Sequence, residues 1–152
     1  MVLKEKERTV IEDLLTQEKS CVEKYTMYAA QAKDPELKKL FETLRAKEQE
    51  HSDSLTKVLS GTVPECNSND SDGREYEPKA AYTSMTESED KKNDAFRATD
   101  CIGTEKLVSG TYNNDVFAFG DSSIRKLLAD IQVEEQNHAE MLYKYKVANA
   151  MA

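Results

Sequence analysis

Residues 48–51 read Glu48-Gln49-Glu50-His51, and near the far end the chain returns to the same pattern as Glu135-Gln136-Asn137-His138. These stretches hold the only two histidines, each three residues after a glutamate. On an α-helix, positions i and i+3 share a face about one turn apart, so carboxylate and imidazole can reach one metal ion. Thirty residues before each motif stands a further glutamate, Glu18 and Glu105. The pattern therefore occurs twice, displaced by 87 residues (105−18, 135−48 and 138−51). It points to a two-metal site on a duplicated helical hairpin, with Glu18, Glu48, His51, Glu105, Glu135 and His138 as the metal ligands.

Apolar spacing extends this reading outward. From residue 3 to 33, Val10 or Ile11, Leu14, Glu18, Cys21, Tyr25, Ala29 and Ala32 recur every three or four positions, the signature of one buried helix face. Asp34-Pro35-Glu36 starts a second helix, with Asp as N-cap and Pro at the first turn, running to about Leu59. Its inner face carries Leu37, Phe41, Leu44, Glu48, His51, Leu55 and Val58. Periodicity then fails from 60 to 87, a stretch holding two of the three prolines and long enough to cross the length of a bundle. A third helix is predicted over 88–118, with Gly103 and Gly110 explained by close packing. Gly120-Asp121 ends it and caps a fourth helix reaching about Ala148. Residues 13–57 align without gaps on 100–144 with 12 identities in 45 positions, which an internal duplication explains.

Composition narrows the class. The 152 residues suit a single domain spanning 1–152, made of hairpin one (3–59), a connection (60–87) and hairpin two (88–148). A net charge of −8 argues against nucleic acid or an anionic membrane as partner. No apolar run approaches the roughly 18 residues of a membrane span, and the charged N-terminal stretch does not read as a secretory signal. The three cysteines, Cys21, Cys66 and Cys101, show no C-x-x-C spacing, so reduced thiols and a cytoplasmic location are expected.

All six polar positions fall on apolar stripes. Four buried carboxylates without counter-charge are unfavourable by several kcal/mol per ion, and no Lys or Arg occupies the neighbouring stripe positions. Either the carboxyls are protonated or cations lie between them; two divalent ions would balance four carboxylates. Glutamate and histidine suit two iron ions, or alternatively two manganese ions, better than zinc. Tyr25 and Tyr112, two turns beyond Glu18 and Glu105, are candidate catalytic residues, as hydrogen-bond or electron donors near the metals; the plainer reading is a core aromatic. Glu134 is placed to orient His51, whereas its repeat counterpart is Lys47. Cys21 and Cys101 read as small core residues or as an oxidant-responsive thiol pair.

With these residues in place, the chain resembles the ferritin-like superfamily, in particular the rubrerythrin-like proteins with two Glu-x-x-His helices. The stretch YTMYAAQAKDPELKKLFETLRAKEQEH resembles the spore coat protein F family. The resemblance implies an all-α, ferritin-like four-helix bundle of two antiparallel hairpins joined by a long crossover. It implies the same six ligands at a di-iron or di-manganese centre reacting with dioxygen or hydrogen peroxide, as an oxidase, peroxidase, ferroxidase or catalase would. The chain lacks the C-x-x-C pairs and the extra third-helix glutamate that rubrerythrins often carry. The other reading is a structural spore coat component whose metals only stabilise the bundle, with other coat proteins as partners. A homodimer is compatible with either, and a metal-free relic of the duplication is a third outcome.

Overall fold

The structure, a computed structural model, describes residues 1–66, 68 and 70–152; Asn67 and Asn69 of the predicted connection lie outside the described residues. Four long helices dominate: α1 (Glu5–Gln31), α2 (Pro35–Leu59), α4 (Glu89–Asp115) and α5 (Ser122–Ala148). A four-residue helix, α3 (Asp72–Glu75), interrupts the crossover. Among the described residues there is no strand.

The helix starts follow from their caps. Asp34 accepts the Glu36 amide with Pro35 in the first turn, and Asp121 accepts the amides of Ser123 and Ile124. A side-chain acceptor here satisfies amides that have no partner within the helix. The terminators differ from expectation. Gly120 does not take a left-handed conformation; α4 instead tightens into a 3₁₀ turn, Val116–Ala118. The glycine with positive φ (+97°) is Gly61, just past α2. Nor does close packing explain Gly103 and Gly110, because a Cβ at either would meet nothing within 4 Å.

Three cross-helix pairs fix the direction of α1 against α4: Gln17 with Thr111, Lys24 with Asp100, and Gln31 with Arg97. Numbers rise along one helix as they fall along the other, so the two are antiparallel. The pairs Glu48–His138 and His51–Glu134 show the same for α2 and α5. The result is the ferritin-like arrangement of two antiparallel hairpins related by a pseudo-two-fold axis.

The apolar core forms two clusters. One contains Ile11, Leu14, Leu55, Val108, Tyr112 and Leu128. The other contains Tyr25, Phe41, Leu44, Ala98, Leu142 and Tyr145. Along every long helix the glutamates and histidines fall near the change from one cluster to the other, so the core is divided by a polar layer.

Two polar fastenings hold the crossover. At one end Asp94 accepts the amides of Lys33 (3.0 Å) and Asp34 (2.9 Å) and the Tyr82 hydroxyl (2.9 Å). Nearby, Asn149 accepts the amides of Ala81 and Tyr82. At mid-bundle the Gly73 amide donates to Asn137 Oδ1 (3.0 Å), and Lys144 Nζ donates to the carbonyls of Gly73 and Arg74 (both 2.7 Å). Gly73 fits closely: a Cβ there would lie 2.5 Å from Glu140 Oε2 and 2.9 Å from Asn137 Oδ1.

Candidate metal centre

All six predicted ligand residues converge in the polar layer, and none is more than 3% exposed. Their donor atoms form two groups: Glu18, Glu48, His51 and Glu135, and Glu48, Glu105, Glu135 and His138. Within each group the ligand atoms lie within 4.8 Å of one another, the span of a single ion's donors. Glu48 and Glu135 belong to both groups.

His51 Nδ1 stands 3.1 Å from Glu48 Oε2, 3.0 Å from Glu135 Oε1 and 3.7 Å from Glu18 Oε2. His138 Nδ1 stands 3.1 Å from Glu48 Oε1 and 3.6 Å from both Glu105 Oε2 and Glu135 Oε2. Each imidazole thus turns Nδ1 inward, and the rings lie 5.9 Å apart and nearly parallel.

The tyrosines cross between the halves. Tyr25 OH donates to Glu105 Oε1, and Tyr112 OH donates to Glu18 Oε1. One oxygen of each outer glutamate is thereby committed, while Glu18 Oε2 and Glu105 Oε2 are buried without a hydrogen bond. Both Glu135 oxygens are in the same position, His51 Nδ1 being close to Oε1 but not aligned as a hydrogen bond. Four carboxylate oxygens buried in this way is a costly arrangement, and all four belong to residues of the two candidate groups. The donor set fits two divalent cations.

Burial, reinforced by Glu135 and Glu48, pushes the Glu18 and Glu105 carboxyls well above the usual range. Burial acts on Glu48 in the same sense, but His138 and His51 outweigh it and hold that group down. Glu135 is likewise lowered against its burial and the Glu48 charge, by the close approach of Glu105 and the two histidines. Both histidines are raised against their own burial by the surrounding carboxylates. Without cations these directions favour protons on the outer glutamates and the imidazoles, beside ionised Glu48 and Glu135. Two divalent ions would take the place of those four protons.

Outside the layer, Glu134 accepts from His51 Nε2, as its place beside Glu135 suggested. Cys21 and Cys101 enter different core clusters, and both are free thiols pushed up by burial. A cleft of about 370 Å³ between α2 and α5 reaches His138 and is bordered by Lys47, Glu134 and the crossover residues Asp72, Glu75 and Tyr76. Those crossover residues escaped sequence reasoning because their stretch has no periodicity; the signal was a glycine, Gly73, amid polar residues.

Fold and site together define a helical bundle of the ferritin-like class with a carboxylate–histidine cluster at its centre. The rubrerythrin family profile matches residues 10–146, and the chain belongs to that family. Comparison with curated proteins and with solved structures finds no match. Among the described residues, no helix is long and apolar enough to cross a membrane.

Proposed function

We propose that the chain is a di-metal carboxylate protein, folded as one domain over 1–152, that reacts with dioxygen or hydrogen peroxide. Glu18 and His51 would hold one ion, Glu105 and His138 the other, with Glu48 and Glu135 shared between them. The observation that carries this reading is the set of four buried carboxylate oxygens without hydrogen bonds, facing two imidazole Nδ1 atoms. Carboxylate-rich coordination favours iron, with manganese as the alternative. Bound ions of this kind supply electrons and Lewis acidity to a small oxidant.

The chain's own residues prepare the chemistry. Tyr25 and Tyr112 fix the outer glutamates by donating to one oxygen each, leaving the second free to bind. They are also the nearest oxidisable side chains whose hydroxyl protons have an acceptor in place. The two apolar clusters keep bulk water from the layer. The test is metal analysis of anaerobically purified protein, followed by peroxide turnover. About two ions per chain with turnover is the expected result. Two ions without turnover would leave a structural role, that of a coat or assembly component.

A further inference from the structure

Residues 47 and 134 are repeat counterparts (134−47 = 87), yet one is a lysine and the other a glutamate. Both lie on the α2–α5 face over the polar layer, with Lys47 Nζ 3.9 Å from Glu134 Oε1. The pseudo-two-fold axis therefore relates opposite charges.

The consequence falls on the histidines. A carboxylate on the outer nitrogen of a liganding imidazole fixes its tautomer, orients the ring and raises its basicity; loss of such a partner costs roughly 10–100-fold in metal affinity. His51 has this partner in Glu134. For His138 the equivalent position is Lys47, which turns to Glu50 (2.8 Å) and Glu134. Among the described residues no carboxylate holds His138 Nε2. Lys47 and Glu134 border both the cleft at His138 and the hollow at His51, so the difference between the halves lies in which imidazole receives the carboxylate. The hollow beside His51, about 140 Å³ and partly lined by Glu134, is less than half the size of the 370 Å³ cleft at His138.

We infer that the two halves of the centre are unequal: Glu134 is a positioning residue that makes the His51 half the tight, resident one, while the wider cleft and an imidazole with no carboxylate behind it make the His138 half the exchangeable one. This rests on the two-metal reading and goes beyond it. The symmetric ligand set hides the inequality, because all six ligands repeat while the residue before the motif glutamate changes from Lys47 to Glu134.

The test uses Zn²⁺ as a diamagnetic probe, added to the metal-free full chain and followed by calorimetry and by ¹⁵N-histidine NMR. At one equivalent, Nδ1 of His51 moves to its metal-bound shift while that of His138 stays behind. Glu134→Gln, which keeps the side-chain length and an acceptor oxygen, weakens the first binding step by roughly 10–100-fold and leaves the second. Lys47→Glu tightens the second step and draws the two together. Both histidines metallating in parallel at half loading, or Glu134→Gln weakening both steps alike, would overturn the inference. Two ions bound with equal affinity removes the inequality and spares the two-metal reading, whereas fewer than two ions per folded chain removes both.

Discussion

At the scale of single residues, the convergence of six side chains was legible because their pattern is written in spacing. The i, i+3 motif and the constant offset of 87 mark Glu18, Glu48, His51, Glu105, Glu135 and His138 without any coordinates. The tyrosines were only half legible: sequence places each above the glutamate of its own helix, and only packing shows that each serves the glutamate of the other half. Tyr112→Phe should therefore leave Glu18 Oε1 buried without its donor, at a cost of about 1–3 kcal/mol in denaturant unfolding of the metal-free protein. Adding metal should recover part of the loss, as the freed oxygen gains a cation. The thiols give a second check. Cys21 and Cys101 are buried and pushed up, so a thiol reagent should label half-buried Cys66 first in the native protein, the other two reacting only on unfolding.

At the scale of elements, Asp34 and Asp121 read correctly as caps, but their surroundings differ. Asp121 is exposed and holds only its own helix, so Asp121→Ala should cost about 1 kcal/mol. Asp34 also accepts from buried Tyr145 OH (2.7 Å), so Asp34→Ala should cost more, about 2–4 kcal/mol in the same unfolding assay. Helix ends set by glycine were harder to read. The break after α2 lay in plain view as Ser60-Gly61, whereas Gly120 drew attention through its place beside a cap. Asp94 shows where sequence reasoning stops. It falls in helical register with Ala98, Cys101 and Glu105, yet its role is to receive amides at the α1–α2 corner some 60 residues away, and no local pattern encodes that.

At the scale of the whole molecule, the two-metal reading sets protons and metal ions in competition for one interior. On the two-metal reading, Glu18, Glu105, His51 and His138, all raised, would give up protons as cations bind, so binding should tighten as pH rises and fail as it falls. For the metal-free chain the sign is opposite: histidines raised in the folded state stabilise it at low pH, and that contribution fades as pH climbs through their elevated values. The gap in Tm between loaded and metal-free protein should widen from pH 5.5 to 8. With free metal at a hundred times Kd the stabilisation is about 2.7 kcal/mol, on the order of 5–10 °C for a chain of this size. A chain assembled from two copies of one hairpin still depends on its single unrepeated segment, and that segment is seated where hydrogen is the only side chain with room. A methyl group at position 73 would act as a wedge. Glu140, 46% exposed, can swing aside, but Asn137 can yield only by giving up the amide it holds. The earliest point of failure under stress would then be the bridge between the halves, with protease nicks arriving there before any long helix has begun to unwind.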